Sequence, residues 1–296
     1  MPKLRRPIAA GICTLALFSC GGSGQSGQPG MQPVVLPRPA ASAQPNVALL
    51  APMSIASLGR QRTLRLYLPP DYAQSDRRYP VIYMHDGQNL FDAATSYAGE
   101  WEVDETLNAL AAAGKLEAIV VGIDNGGEQR MRELNPWDHP VYGKGEGGAY
   151  IDFIVNVVKP MIDQRYRTLP DRANTAVVGS SIGGFISHYA IGRYPQVFGK
   201  AGVLSPSYWV GKASMSAHVS EKPAAADARI YLLMGANEGD SMVPDVERMH
   251  ALVLQTGHPA GNIKLKIVPG GTHSEALWRG ELREALLWMF ERQDSR

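Results

Sequence analysis

Residues 177–184 read VVGSSIGG, and this stretch decides the fold. Two β-branched residues, typical of a buried strand, lead into the pattern Gly-x-Ser-x-Gly centred on Ser181, and a helical pattern follows over 182–194. A serine on such a strand-to-helix turn stands clear of the sheet at a helix N-terminus, which favours developing negative charge. The pattern therefore predicts that Ser181 is a nucleophile. The alternative is a Gly-Ser turn that only starts a helix.

Strand and helix patterns alternate on both sides of this turn. Short apolar or alternating runs predict strands at 63–68, 79–84, 117–123, 175–178, 201–204, 229–234 and 263–268. Helical spacing predicts helices at 103–113, 149–165, 182–194, 243–256 and 281–291. This alternation predicts an α/β fold with a mostly parallel central sheet and helices on both faces. Functional groups in such sheets gather at the carboxyl ends of the strands.

A serine hydroxyl needs a base, and the base needs an orienting acid. His273 lies in the loop between the last predicted strand and the last predicted helix, where we expect the base. Glu238 and Asp240 both follow the strand 229–234, where the acid is expected. We favour Glu238 because it is nearer the strand end. Asp240 remains an alternative, as does a Ser–His dyad without an essential acid.

Two backbone N–H groups are needed to hold an oxyanion. The first is predicted at Ile182, directly after the nucleophile. The second is predicted at Gln88, within the loop HDGQN that follows the strand ending at Met84. His85 and Asp86 in the same loop could instead be a metal pair, but no further ligands cluster at useful spacing, so no metal is expected.

Aromatic residues fall in loops predicted near the strand ends. Trp101, Trp209 and Trp278 are predicted to bind substrate, because aromatic platforms suit aryl or sugar groups. For Trp101 and Trp278, ordinary core or rim packing is an equal alternative.

Two arginines follow the strand 117–123. Arg130 and Arg132 could meet an anionic substrate, but we expect surface pairs with Glu128 and Glu133.

The N-terminus has the layout of a secretory signal peptide. A basic start and an apolar run over 8–18 precede Cys20, and this run is shorter than the roughly 20 residues of a membrane-spanning helix. We predict a lipoprotein-type signal over 1–19, lipidation of Cys20, a flexible Gly/Ser/Gln/Pro-rich tether over 20–46, and the enzyme domain over 47–296. Ordinary cleavage nearby is the alternative. Either outcome predicts an extracytoplasmic protein, periplasmic if it is anchored.

Composition excludes several classes of protein. The 296 residues include 29 basic and 28 acidic side chains, so a clustered basic surface for nucleic acid is not expected. The only cysteines are Cys13 and Cys20, which excludes a disulfide scaffold and a Cys-rich zinc site.

Several stretches beyond the serine turn are similar to one known family. These stretches are 85–92 (HDGQNLFD), 99–101 (GEW), 160–167 (PMIDQRYR), 205–209 (SPSYW) and 273–278 (HSEALW). From about residue 62 to 290, the chain resembles the putative-esterase family of α/β-hydrolases. That family includes S-formylglutathione hydrolases, feruloyl and acetyl-xylan esterases, enterochelin-type siderophore esterases and mycolyltransferases. The resemblance is strongest to stand-alone periplasmic siderophore esterases, and it favours Glu238 as the acid.

The resemblance implies an α/β-hydrolase fold and a serine esterase that works through an acyl-enzyme without a cofactor. Siderophore lactones, feruloyl or acetyl glycans and small acyl esters are the expected substrates. We expect membrane contact only through a lipid anchor, and no particular oligomeric state is predicted. The alternatives are acyl transfer of the mycolyltransferase type and a catalytically silent binding lipoprotein on the same fold.

Overall fold

One eight-stranded sheet runs through residues 40–291, the part of the chain that this computed structural model describes. The strands are β1 (Val47–Ile55), β2 (Arg60–Tyr67), β3 (Val81–His85), β4 (Ile119–Ile123), β5 (Thr175–Ser180), β6 (Lys200–Leu204), β7 (Arg229–Gly235) and β8 (Ile263–Val268). Their order is β1-β2-β4-β3-β5-β6-β7-β8. Strands β3 to β8 are parallel, whereas β2 pairs antiparallel with β4 and β1 pairs antiparallel with β2.

Helices connect the parallel strands. They are α1 (Val103–Ala112), α2 (Arg130–Glu133), α3 (Gly147–Phe153), α4 (Lys159–Arg165), α5 (Ile182–Arg193), α6 (Lys212–Glu221), α7 (Met242–Gln255) and α8 (Glu275–Phe290). A π-helical turn, Ile154–Val158, joins α3 to α4. The predicted α/β fold with a mostly parallel sheet is therefore confirmed.

The sheet separates two hydrophobic cores. Successive side chains of a strand point to opposite faces, so Tyr83 packs in one core and its neighbours Ile82 and Met84 pack in the other. The Tyr83 core contains side chains of α3 to α7, and the Ile82 core contains those of α1 and α8. Every residue of β3, β4 and β5 is buried, which explains why these strands read as unbroken apolar runs.

The edge strand β1 was missed by the sequence analysis. It spans Val47–Ile55, contains Pro52, and has only one fully buried residue, Ile55. Its pairing with β2 shifts register between Leu50 and Met53. A proline and a bulge are both tolerated at a sheet edge, where one side of the strand needs no partner. The same features hide the alternation by which a strand is recognised.

Helices α6 and α8 also differ from expectation. Helix α6 was not predicted because it buries only three residues, which do not form a clear apolar stripe. Helix α8 begins at Glu275, six residues before the predicted start, and Ser274 caps it by accepting the Leu277 N–H. Gly280 lies inside this helix. Because glycine usually marks the end of a helix, its presence hid the first turns of α8 in the sequence pattern.

The end of the predicted tether 20–46 is bonded to the domain surface. The Ser42 hydroxyl donates to Glu100 Oε2 at 2.6 Å, and the Gln44 backbone N–H donates to Asp104 Oδ2 at 2.8 Å. Residue 42 is therefore already part of the hydrogen-bonded structure.

The predicted signal peptide 1–19, the predicted lipidation site Cys20 and the tether up to residue 39 lie outside the described residues. Within residues 40–291, no helix combines the length and the apolar character needed to cross a bilayer.

Candidate active site

Ser181 lies on the sharp turn between β5 and α5. Its backbone has φ 57° and ψ −124°, a strained conformation for a residue with a side chain. The surrounding backbone holds this conformation: the Ser181 N–H donates to the Leu204 carbonyl at 2.9 Å, and the Ser181 carbonyl accepts the Ser207 N–H at 3.0 Å. The turn thus matches the geometry expected from the sequence, while the nucleophilic role of Ser181 stays a prediction.

Two glycines of the motif allow α5 to approach the sheet. A Cβ on Gly179 would lie 2.7 Å from the carbonyl carbon of Gly183, and a Cβ on Gly184 would lie 2.7 Å from the Leu204 carbonyl oxygen. Both distances are shorter than a carbon atom tolerates against backbone, so only glycine fits without a shift of the chain.

Glu238 lies in the loop after β7, with its side chain fully buried. Its Oε1 accepts the Gly235 N–H at 2.7 Å and the Ser205 hydroxyl at 2.6 Å. Its Oε2 contacts His273 Nδ1 at 2.7 Å. The rival residue Asp240 lies exposed, and no hydrogen bond between Asp240 and His273 is present in this described part of the chain. The contacts favour Glu238, although its catalytic role stays a prediction.

His273 lies between β8 and α8, and its side chain is 36% exposed. Because a carboxylate only accepts hydrogen bonds, the contact with Glu238 assigns the imidazole proton to Nδ1. The Nε2 lone pair is then available to accept a proton. The indole of Trp278 packs edge-on against the imidazole, with ring centroids 5.1 Å apart, and limits its rotation.

The Ser181 hydroxyl contacts a residue that the sequence analysis did not single out as functional. Its Oγ lies 3.1 Å from the Oγ of Ser207, and among residues 40–291 no hydrogen bond joins Ser181 to His273. Nucleophile–base contacts are often long before substrate binds.

The two predicted oxyanion donors both lie in first turns. Ile182 is the first residue of α5, and Gln88 is the second residue of the 3₁₀ turn Gly87–Asn89. The first N–H groups of a helix have no partner within it, so both positions suit an anion. The Gln88 side chain accepts the Asn125 N–H at 3.0 Å, which ties its loop to the end of β4.

Asp86 supports this loop from a backbone conformation of φ 57°. Its carboxylate accepts two hydrogen bonds from Arg130, at 2.6 and 2.9 Å, and one from Asn125 Nδ2 at 2.6 Å. Burial alone would raise the pKa of Asp86, but the Arg130 guanidinium outweighs it and lowers the pKa. These bonds occupy the oxygens that the alternative metal pair would need.

The expected surface pairs of Arg130 and Arg132 were wrong. Arg130 pairs with Asp86, and Arg132 pairs with Glu146 at 2.5 Å. Arg130 meets Asp86 because the parallel strands β4 and β3, which precede these two residues, are paired in the sheet.

The other histidine near the site, His85, is 2% exposed, and its Nδ1 lies 2.9 Å from the Tyr150 hydroxyl. Burial lowers the pKa of His85 to about 4, so it is neutral near pH 7. It packs beneath the serine turn.

The three predicted substrate-binding tryptophans separate into two groups. Trp101 is 3% exposed and Trp278 is 5% exposed, and their rings pack together at 5.6 Å. Neither ring offers an open face, so direct stacking on substrate is corrected to the packing alternative. Trp209 is 49% exposed and remains a candidate platform.

Ser205 and Ser207 were missed as site residues. Ser205, at φ 44°, donates to Glu238 and accepts the Trp278 Nε1–H at 2.8 Å. Both serines follow β6, the strand between those that position Ser181 and Glu238. The Ser-Pro-Ser sequence at that strand end was the available signal.

A family model described as "Putative esterase" matches residues 55–289. Three relatives are similar over about four-fifths of this chain. "Uncharacterized protein YbbA" of Bacillus subtilis (strain 168) is 28% identical over 79% of this chain and 94% of its own length. An "Endo-1,4-beta-xylanase/feruloyl esterase" of Xylanibacter ruminicola is 24% identical over 79% of this chain and 30% of its own length. An "Iron(III) enterobactin esterase" of Dickeya dadantii is 26% identical over 80% and 53%, respectively. The chain thus spans about a third and about half of these two longer relatives.

One solved structure supports the fold. An "IroE-like serine hydrolase" from Shewanella oneidensis superposes with a TM-score of 0.69 over 83% of this chain and 80% of that one, at 21% sequence identity. The α/β-hydrolase architecture expected from the sequence is therefore confirmed.

Proposed function

This chain belongs to the putative-esterase family of α/β-hydrolases, and from that premise we propose that it hydrolyses carboxylic esters through an acyl-enzyme on Ser181. The observation that supports this most is the pairing of buried Glu238 with His273, at 2.7 Å, after strands β7 and β8 of the same parallel sheet whose strand β5 leads into the strained Ser181 turn.

In the proposed first step, Ser181 Oγ attacks the ester carbonyl while His273 Nε2 accepts the hydroxyl proton. Glu238 stabilises the imidazolium through Nδ1–H. The tetrahedral oxyanion accepts hydrogen bonds from the N–H groups of Ile182 and Gln88, each worth about 3 kcal/mol of barrier. His273 then gives its proton to the leaving alkoxide, which departs as the alcohol and leaves Ser181 acylated.

In the second step, water attacks the acyl-enzyme while His273 Nε2 accepts a proton from it. Collapse of the second tetrahedral intermediate breaks the bond to Ser181 Oγ, which takes the proton back from His273. The carboxylic acid is released and no cofactor is consumed. The Ser207 hydroxyl holds the Ser181 side chain between turnovers, at 3.1 Å.

We propose an ester with an aryl group as substrate, a feruloyl ester or a catechol siderophore lactone. Two relatives are a feruloyl esterase and an enterobactin esterase by name. Trp209, 49% exposed and two residues from Ser207, offers such a group an aromatic surface.

A hydrolysis screen tests this proposal with three ester classes: a catechol siderophore lactone, feruloyl and acetyl glycans, and methyl butyrate. Trp209→Ala should raise KM for the aryl ester about fivefold to tenfold, since an aromatic contact is worth about 1 kcal/mol. Methyl butyrate should be unaffected. Leu49→Ala is the matched control, because Leu49 is 65% exposed on the edge strand β1. An equal loss on both esters, or turnover of methyl butyrate alone, would contradict an aryl substrate.

We also propose that the enzyme works outside the cytoplasm, attached by a lipid on Cys20. The support is the basic and apolar pattern of residues 1–19. In a bacterial host, the wild type and Cys13→Ser should incorporate radiolabelled palmitate, whereas Cys20→Ser should not. An unlabelled wild type, or a labelled Cys20→Ser variant, would refute lipidation at this residue.

A further inference from the structure

Three carboxylates meet where α1 begins. Glu100 lies three residues before the helix, and Asp104 and Glu105 lie in its first turn. One ligand oxygen from each residue lies within 4.8 Å of those of the other two. Glu100 is 6% exposed and Asp104 is fully buried.

In each of these carboxylates, one oxygen accepts a hydrogen bond and the other oxygen has no hydrogen-bond partner. Glu100 Oε2 accepts the Ser42 hydroxyl at 2.6 Å, while Asp104 Oδ2 and Glu105 Oε1 accept N–H groups of Gln44 at 2.8 and 3.0 Å. In contrast, Glu100 Oε1, Asp104 Oδ1 and Glu105 Oε2 are buried and have no hydrogen-bond partner. Buried polar atoms are nearly always satisfied, so a bound cation would satisfy these three oxygens and would displace any proton that Asp104 and Glu105 share.

Protein cations do not neutralise the cluster. Within residues 40–291, none of the three carboxylates forms an ion pair, and the adjacent Arg279 pairs with Glu102 at 2.9 Å. The dipole of α1 favours acids in its first turn, but this effect is too small to stabilise three neighbouring carboxylates.

We propose that Glu100, Asp104 and Glu105 form a calcium site. Carboxylate oxygens are the ligands that Ca²⁺ prefers, and its Ca–O distances of about 2.4 Å place opposite ligands up to about 5 Å apart. Mg²⁺ requires shorter distances and near-ideal octahedral geometry, which three carboxylates so close together in sequence satisfy less well. The sequence suggested a metal only as an alternative at His85 and Asp86, and it did not point to these three acids.

The site would join the chain entering the domain to the rim of the candidate active site. Ser42 and Gln44 bond the same carboxylates, so a cation would fix this segment against α1. Trp101, next to Glu100, packs on Trp278, which contacts His273. The proposed cation therefore has a structural role, independent of whether the chain hydrolyses esters.

The test is calcium binding by the purified full chain after treatment with a chelator. Isothermal titration with CaCl₂ near pH 7.5 should show one bound cation. At 100-fold excess over Kd, the melting temperature should rise by roughly 5 °C or more, and by less with MgCl₂. Glu105→Gln, at the most accessible ligand, should weaken binding at least about tenfold. The matched control Glu247→Gln, on the exposed side of α7, should bind as the wild type does.

The melting temperature of Glu105→Gln in the absence of calcium provides a second test. Glu105→Gln removes one of three crowded negative charges, so without calcium it should melt at or above the wild-type temperature, yet lose the calcium-dependent rise. Absence of binding up to about 10 mM CaCl₂ would overturn the site, since extracellular calcium modules bind at about millimolar or tighter. Wild-type binding by Glu105→Gln, or a larger rise with MgCl₂, would overturn the assignment. None of these measurements depends on activity, so their failure leaves the proposed esterase function unaffected.

Discussion

Ser181→Ala should reduce kcat/KM for ester hydrolysis by about 10⁵-fold or more, with little change in melting temperature. The reason is that no other group at the serine turn can form the covalent acyl-enzyme. Ser207 is 3.1 Å away, but its backbone N–H is bonded to the Ser181 carbonyl, and it does not lie at the N-terminus of α5. The residual rate should come from the oxyanion donors and substrate binding alone.

The measurement is initial-rate kinetics with p-nitrophenyl acetate, supported by labelling with a serine-directed fluorophosphonate. Ser216→Ala is the matched control, because the Ser216 hydroxyl bonds only within α6, to the Lys212 carbonyl at 2.9 Å. The control should retain both activity and labelling. Turnover or labelling retained in Ser181→Ala would remove this residue from the mechanism and with it the proposed function.

Glu238→Gln should lower kcat by about 10³–10⁴-fold, whereas Asp240→Asn should remain close to wild type. In Glu238→Gln the amide oxygen can still accept from the Ser205 hydroxyl and the Gly235 N–H, and this arrangement turns the amide N–H₂ group, a donor, towards His273 Nδ1. The imidazole would then favour the tautomer with its proton on Nε2, which cannot accept the serine proton.

Both variants should be assayed for kcat and KM, with thermal melting to exclude unfolding. The effect on Glu238→Gln should appear in kcat rather than KM, because the acid acts on the imidazole and does not touch the substrate. The reverse ranking of the two variants would make Asp240 the acid. Equal near-wild-type activity would favour a Ser–His dyad, the other alternative left open by the sequence.

Local features of the site were predictable because they depend on a few neighbouring residues. The buried strand β5, the glycines around Ser181 and the start of α5 form a continuous pattern, and Gly179 has no room for a side chain. The loops that contain Gln88, Glu238 and His273 were located by the same alternation of strands and helices. The expected order of strands along the chain then placed all of these loops at one edge of the sheet.

Features that depend on distant contacts were not predictable. Trp101 and Trp278 are 177 residues apart in the sequence, yet their rings pack against each other. This packing buries both rings, so neither forms part of the predicted substrate-binding surface. Arg130 pairs with Asp86 and not with Glu128, which is nearer in the sequence, because the loops that follow β4 and β3 lie side by side. The edge strand β1 escaped notice because exposed residues and Pro52 leave no alternation to detect.

The sequence by itself determined the α/β architecture, the strained serine turn and the loops expected to hold a base and an acid. Only the tertiary structure decided that Glu238 rather than Asp240 meets His273, that Ser205 and Ser207 complete the hydrogen bonds, and that three acids converge at the start of α1. The physical reason is the separation along the chain over which each kind of interaction acts. Backbone preference and hydrophobic periodicity act over a few residues, whereas hydrogen-bond partners and buried charges are set by packing between segments far apart in the chain.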